Sequence, residues 1–309
     1  MPKSKPHRNT FLVLTLAGIV LLSLLNLTVW GLRLSPGARA ESSTLLFSDF
    51  HHPDTPVVKL APKPSLLTNS YVLIDTATNQ VLLSQNQNER IYPASTTKLA
   101  TALTALNIYP LDEVITIGST YSDGKVMELV TGEKITVKSL VTALLIYSAN
   151  DAAYNLANHH QNGVSGFVAE MNNLVKKYQL AGTHFTNFDG IDNPAHYSTA
   201  IDLAQIGRLA IRNSVIRETV KNKKITVADI TGKSIHQLES TNELLDVVPE
   251  IRGLKTGWTP DAGGSFVALI DLNGHELISV VTRSDDRFGD TIKLINWAKS
   301  NLSYRPYSP

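Results

Sequence analysis

Ser95 and Lys98 are the two residues whose types and spacing most directly suggest chemistry. They stand in Tyr92-Pro93-Ala94-Ser95-Thr96-Thr97-Lys98-Leu99-Ala100-Thr101-Ala102-Leu103. The stretch reads as a loop that turns into a helix at Ser95, because Leu99, Ala102, Leu103 and Leu106 recur at helical spacing. Residues three apart on a helix share one face, one turn apart, so an amine comes within reach of a hydroxyl. A serine hydroxyl is a poor nucleophile until a base removes its proton. Lysine can be that base only where burial or a second cation lowers its pKa. The apolar run after Lys98 supplies the burial. The spacing alone is ordinary: it recurs at Ser122-Asp123-Gly124-Lys125, in a polar turn that offers no buried helical face.

Two further groups carry the same kind of chemistry. From Lys138 a nearly all-apolar helix (Leu140, Val141, Leu144, Leu145) runs into Tyr147-Ser148-Ala149-Asn150-Asp151, and a second helical stretch follows. Ser148 and Asn150 therefore sit at a break between buried helices, where a hydroxyl and an amide need hydrogen-bond partners. Joining two helices would also account for them. Ser-x-Asn recurs at Ser84 and Ser240, but the buried setting favours Ser148. Lys255-Thr256-Gly257 occurs once, on a strand. Alternation puts Lys255 and Gly257 on one face and Thr256 on the other, and the glycine permits close approach of a ligand backbone. An edge strand with an exposed lysine would read the same way.

The elements that must hold these groups follow from patterning. Strands are expected at 71–75 and 81–84, joined by a turn, with short strands at 112–117 and 133–137. An amphipathic helix from Phe167 to Tyr178 turns Phe167, Met171 and Leu174 inward. A loop dense in turn residues, 186–194, ends at His196, read as a structural histidine. Thr199 and Asp202 resemble a capping box for the next helix. After Ile211 the pattern turns to strands, with Asn273-Gly274 a hairpin signal, and closes on a helix from Asp290 to Lys299. Strands, helices, strands and one helix make an α+β fold. Its antiparallel sheet is built from both ends of the domain, and a helical lobe is inserted.

Composition narrows the class. The chain has 309 residues, enough for one large core, and a net charge of +1 gives no bulk attraction to nucleic acid. There is no cysteine, which removes disulfides, thiol nucleophiles and thiolate metal sites. Lys3, Lys5 and Arg8 (residues 1–9, a basic cytoplasmic segment) precede an uncharged apolar run over 10–32. That run is long enough for a transmembrane signal anchor, and Ala38-Arg39-Ala40 after it fits a cleaved signal peptide. Residues 33–66 are read as an extended linker, since Pro53, Pro56, Pro62 and Pro64 interrupt them. His51 and His52 in that stretch have no further ligands at useful spacing and are read as solvated.

Taken together, the three groups form the ordered set Ser-x-x-Lys, Ser-x-Asn, Lys-Thr-Gly found in penicillin-binding proteins and class A β-lactamases. The sequence resembles the low-molecular-mass serine D-Ala-D-Ala carboxypeptidases, peptidase family S11, over roughly Leu67 to Leu302. Asp189-Gly190-Ile191-Asp192, His196-Tyr197-Ser198-Thr199-Ala200 and Trp258-Thr259 with Ala262-Gly263 also look like that family's signatures. Ala149 stands where the family often has glycine. Many relatives carry a β-rich domain after the catalytic one, and here the expected layout is a catalytic domain over 67–302 and a tail over 303–309.

The resemblance implies a DD-peptidase/β-lactamase-like fold and a role for each residue. Ser95 would form an acyl-enzyme with the penultimate D-alanine of a peptidoglycan stem peptide, and Lys98 would take its proton. Ser148 and Lys255 would pass a proton to the leaving D-alanine. Asn150 would bond the substrate amide and Lys98. The backbone N–H groups of Ser95 and Trp258 would form the oxyanion hole beside Gly257. Thr256 would grip the terminal carboxylate, helped by Arg287 or, failing it, Arg283. No metal or cofactor is implied, and β-lactams would acylate Ser95. A β-lactamase would also need a deacylating glutamate, and Glu170 is the only glutamate between Tyr154 and Ile201. A D-Ala endopeptidase acting on cross-links and a non-catalytic sensor share these motifs. The catalytic domain is expected outside the cytoplasm, tethered to the membrane or secreted.

Overall fold

Apolar segments near the two ends of the domain have to meet for either to be buried, and they do so as neighbouring strands. The computed structural model describes residues 53–306. Strands β1 (Thr55–Val58), β2 (Ser70–Asp75) and β3 (Val81–Gln85) come first. A 3-10 turn (Ala94–Thr97) leads into α1 (Lys98–Ile108). A small hairpin of β4 (Val114–Thr116) and β5 (Lys134–Thr136) precedes five helices: α2 (Val137–Ile146), α3 (Asn150–Asn158), α4 (Gly163–Lys177), α5 (Ala200–Arg212) and α6 (Ser214–Val220). Next come β6 (Lys224–Ala228), β7 (Ile235–Glu239), β8 (Ile251–Thr259), β9 (Gly263–Leu272) and β10 (His275–Ser284). Helix α7 (Arg287–Asn301) and β11 (Leu302–Arg305) close the fold.

The main sheet has the antiparallel order β3-β2-β10-β9-β8. Its central pair, β2 with β10, is therefore contributed by opposite ends of the domain, as the α+β reading expects. Strand β2 is buried on both faces. Val72 and Ile74 join the core under the helical lobe, with Leu99, Leu144 and Phe167. Tyr71 and Leu73 alternate to the other face and pack with Phe266, Leu294 and Trp297. Asn273 and Gly274 both take positive φ, 56° and 90°, which closes the β9–β10 hairpin in the turn their types favour. Strand β8 is an edge of the sheet, so one row of its backbone groups is left without a strand partner.

Several expectations need correction. The linker reading of 33–66 fails from Thr55 onward: β1 pairs antiparallel with β11, which also takes Ser303–Arg305 out of the expected tail. Pro56 is compatible because this is a two-stranded edge ladder, and Trp297 Nε1 donates to the Pro62 carbonyl at 2.9 Å. The ordered domain thus runs past both expected bounds, 67 and 302. The apparent start of strands after Ile211 is helix α6, capped by Asn213 Oδ1, which accepts from Val215 and Ile216 N–H. The final helix begins at Arg287 rather than Asp290. The expectations for 1–9, 10–32 and 33–52, including His51 and His52, lie outside the described residues. Among the described residues no helix is long and apolar enough to cross a membrane.

One carboxylate ties the two ends of the sheet together. Asp290 is fully buried and accepts from Leu67 N (2.9 Å), Thr68 N (3.0 Å) and Ser284 Oγ (2.8 Å). Removing it strands three donors that are wholly or partly buried, each costing about 1–3 kcal/mol. Asp290→Ala is therefore expected to lower stability by about 3 kcal/mol or more, seen as a fall in thermal midpoint of roughly 6–12 °C. An unchanged midpoint would show that these donors find water.

Candidate active site

The Ser95 motif is tighter than an α-helix would make it. Ala94 takes positive φ (48°), and the Pro93 carbonyl accepts from Thr96 N and from Thr96 Oγ1 at 2.6 Å. The resulting 3-10 turn eclipses residues three apart, which sets Lys98 over Ser95. Lys98 Nζ donates to Ser95 Oγ at 3.1 Å and to the Asp189 carbonyl at 2.7 Å. Lys98 is completely buried among α1 residues that are themselves buried. Burial pushes its pKa down to about 8, partly opposed by the Asp189 carboxylate. About a tenth of the amine is then neutral at pH 7, far more than for an ordinary lysine, which makes it a competent proton acceptor for Ser95.

The other motifs converge on the same place. Ser95, Ser148, Asn150, Thr256, Gly257 and Trp258 line one cleft of about 280 Å³, and Arg287 reaches it from the start of α7. Ser148 sits at the α2–α3 break with φ of 67°, a conformation that a non-glycine residue holds only under constraint. Asn150 N donates to the Lys125 carbonyl (2.7 Å), and Nδ2 donates to the Asp123 carbonyl (2.8 Å). The expected bond between Asn150 and Lys98 is not formed among the described residues, because the amide is turned toward the 123–125 turn. That turn is admitted by Gly124, where a Cβ would lie 2.5 Å from Asn150 Nδ2.

Strand β8 supplies the opposite wall. A Cβ on Gly257 would stand 3.0 Å from Ser95 N and 3.1 Å from the Pro93 carbonyl, so glycine sets how closely the strand approaches Ser95. Trp258 is 61% exposed at the rim. Thr256 Oγ1 shares a 2.6 Å hydrogen bond with Thr241 Oγ1. Strict alternation is relaxed here, since Thr256, Gly257 and Trp258 all reach the cleft. Lys255 is fully buried rather than lining the open space, with Nζ on the Thr256 carbonyl at 3.1 Å. Burial holds it well below the ordinary lysine range, and Lys98, Lys125 and Arg287 add to the effect. Arg283, the fallback cation, points elsewhere and pairs with Glu89 at 2.8 Å.

Sequence reasoning missed three contributors. Lys125 belongs to the Ser-x-x-Lys copy set aside as a polar turn, and Thr241 belongs to the discounted Ser-x-Asn copy; both line the cleft. The Asp189 carbonyl could be read only as part of a loop signature. No residue type marks a backbone acceptor, so no sequence signal points to its bond with Lys98. His196 is structural, as expected. It is buried, bonds Thr97 Oγ1 (2.9 Å) and accepts from Thr186 N (3.0 Å), and burial lowers its pKa to about 4. Glu170 lies on α4 and lines a separate groove with Thr104 and Asn107.

Comparison with known proteins places this geometry among relatives. Residues 57–286 match the family profile of peptidase S11, D-alanyl-D-alanine carboxypeptidase. The chain is 33% identical over 264 residues to the D-alanyl-D-alanine carboxypeptidase DacD of Salmonella typhimurium, covering 80% of this chain and 66% of the relative. With the D-alanyl-D-alanine carboxypeptidase of Streptomyces sp. K15 the identity is 32%, over 76% of this chain and 88% of the relative. The crystal structure of the Streptomyces K15 DD-transpeptidase superposes with a TM-score of 0.73 at 32% identity, covering 78% of this chain and all of that one. This chain thus spans just under two thirds of the DacD length and most of the Streptomyces relative.

The loop that carries Asp189 is also fixed by a glycine. Gly190 has φ of 89°, and a Cβ there would fall 1.9 Å from the Ala94 carbonyl oxygen. Gly190→Ala has to displace either this loop or the Ser95 turn, since both partners are backbone. A loss of about 3 kcal/mol is expected, from overpacking and left-handed strain together. Thermal unfolding measures it, and an unshifted midpoint would show that the two segments separate freely.

Proposed function

The chain belongs to peptidase family S11, the D-alanyl-D-alanine carboxypeptidases, and from that premise we propose that it removes the terminal D-alanine of peptidoglycan stem peptides through an acyl-enzyme on Ser95. The observation that carries the reading is the buried Lys98 amine 3.1 Å from Ser95 Oγ. In the proposed reaction Lys98 takes the Ser95 proton as Oγ attacks the carbonyl of the penultimate D-alanine. The developing oxyanion is met by the backbone N–H groups of Ser95 and Trp258. One such donor contributes about 2.7–4 kcal/mol to the transition state. The proton reaches the leaving amine through Ser148 and Lys255, the C–N bond breaks, and D-alanine departs. Water, deprotonated in the same basic site, then cleaves the ester and restores Ser95.

Recognition follows from the cleft walls. The free backbone edge of β8 suits an extended peptide laid beside it. With Nδ2 of Asn150 held by the Asp123 carbonyl, its Oδ1 is left to accept from a substrate backbone N–H, and Thr256 with Arg287 takes the terminal carboxylate. Arg287 Nε is buried without a partner among the described residues, which supports an anionic ligand there. A β-lactam would acylate the same serine. Its amine stays tethered after ring opening, and Glu170, the glutamate that could have aided hydrolysis, is outside the cleft. A long-lived adduct is the consequence. The segment 10–32, led by Lys3, Lys5 and Arg8, would carry the domain across the membrane and either anchor it or be removed.

Intact-protein mass measures the central step. After incubation with benzylpenicillin the full chain is expected to gain one persistent penicilloyl mass, and Ser95→Ala none. A parent that stays unmodified while folded, or that turns penicillin over at roughly tens per second, a typical enzymatic rate, would overturn the reading. Acylation should also follow the neutral fraction of Lys98. The rate is expected to rise about tenfold per pH unit below about 8 and then flatten. A rate independent of pH between about 6 and 9 would remove Lys98 from the role of base.

A further inference from the structure

One ammonium group in the cleft is not used by the chemistry at Ser95. Lys125 lines the cleft together with Ser148, Asn150, Thr241 and Thr256. Its backbone is fixed, because the carbonyl accepts from Asn150 N at 2.7 Å. Its side chain is directed as well. Nζ stands 3.8 Å from the centroid of the Tyr147 ring, within cation–π range. Among the described residues no carboxylate lies within 4.0 Å of it.

Two acidic groups near it are engaged elsewhere, and the Asp123 carboxylate in the same turn is not within 4.0 Å of it. Glu239, the carboxylate whose field reaches Lys125, pairs with Lys224 at 3.4 Å. The Asp189 carboxylate accepts from the Tyr121 hydroxyl at 2.8 Å. Meanwhile Lys125 is close enough to the reacting groups for its charge to be felt at Lys255. An oriented cation without a counter-charge, in a substrate cleft, is one half of an ion pair that a ligand can complete.

We propose that Lys125 is a specificity-determining residue that binds a carboxylate of the substrate, so that the cleft selects anionic ligands over neutral ones of the same shape. The proposal rests on the reading of Ser95 as the acylating serine. The carboxylate has two sources. It is either the C-terminal one, shared with Thr256 and Arg287, or a side-chain carboxylate on the peptide before the scissile bond.

Matched pairs of ligands test this on the full chain. Benzylpenicillin and its methyl ester differ in the carboxylate that mimics the C-terminus. Peptides ending in D-Ala-D-Ala, with a dicarboxylic residue before them either free or amidated, differ in the side-chain carboxylate. Acylation rates are measured for the parent, Lys125→Gln and Lys125→Arg. The parent is expected to favour the charged member of one pair. Lys125→Gln should reduce that preference about tenfold, the scale of one partly screened charged contact, and Lys125→Arg should keep it. The pair that responds identifies the source. Preferences unchanged by Lys125→Gln, or equal slowing on charged and neutral members, would overturn the proposal. Equilibrium binding of the same peptides on a Ser95→Ala background reads the preference without chemistry. A missing preference there defeats the Lys125 assignment alone, whereas a parent without a Ser95 adduct defeats the acylation reading alone.

Discussion

The interior amine of Lys98 is the constraint on which the rest of the site depends. Moving its pKa from an ordinary 10.5 to about 8 means that the protein disfavours the charged form by about 3 kcal/mol. That preference exists only while the amine stays dry. Dryness requires α1 to be buried from Lys98 to Ala105, which in turn requires the helical lobe to be closed over it. The amine also needs an acceptor that does not restore its charge. A backbone carbonyl, that of Asp189, meets the need better than a carboxylate would, because it orients Nζ at little cost to the neutral form. The lowered proton affinity beside Ser95 is therefore a property of the packed lobe and not of a short motif.

Positioning is achieved by close backbone contact. The Ser95 turn is held between the loop at Gly190 and the strand at Gly257, and at both places a Cβ would meet the turn's backbone at 3.1 Å or less. Side chains could adjust to such crowding, whereas backbone cannot. The two glycines therefore fix the distance from Ser95 to its two walls. The third wall is the 123–125 turn, fixed through Asn150 by backbone carbonyls on either side of Gly124. Asp290 works at longer range. By joining Leu67, Thr68 and Ser284 it holds β2 against β10, and β10 carries β9 and β8 with it.

Much of this was legible in the sequence, for identifiable reasons. The three motifs are individually ordinary but occur together in a fixed order, and each falls on the kind of element its patterning indicates. The hairpin at Asn273-Gly274 and the cap at Thr199 were readable because their signals are local. What escaped was of another kind. Strand β1 has no partner nearer than β11, and its surrounding prolines imitate a linker. Helix α6 is only seven residues long and was masked by the strand-forming residues around it. Lys125 and Thr241 lay inside duplicate motifs, and only the fold distinguishes a duplicate facing solvent from one facing the cleft. The turn of the Asn150 amide away from Lys98 depends on a carbonyl at Asp123, which pattern reading does not see.

Electrostatics then links binding to proton transfer. Lys98, Lys255, Lys125 and Arg287 are gathered around one small cleft, and each disfavours the protonation of Lys255 or is itself disfavoured by burial. In the resting site Lys255 therefore holds its proton weakly. A substrate carboxylate entering beside Arg287 or Lys125 adds the negative charge that this cluster lacks. By Coulomb's law it must raise the proton affinity of the cations around it. In the proposed reaction the binding event that places the scissile bond at Ser95 also strengthens the hold of Lys255 on the proton it relays from Ser95 to the departing amine. A ligand of the right shape without that charge would lack this support, so its loss would fall on the chemical step as well as on binding.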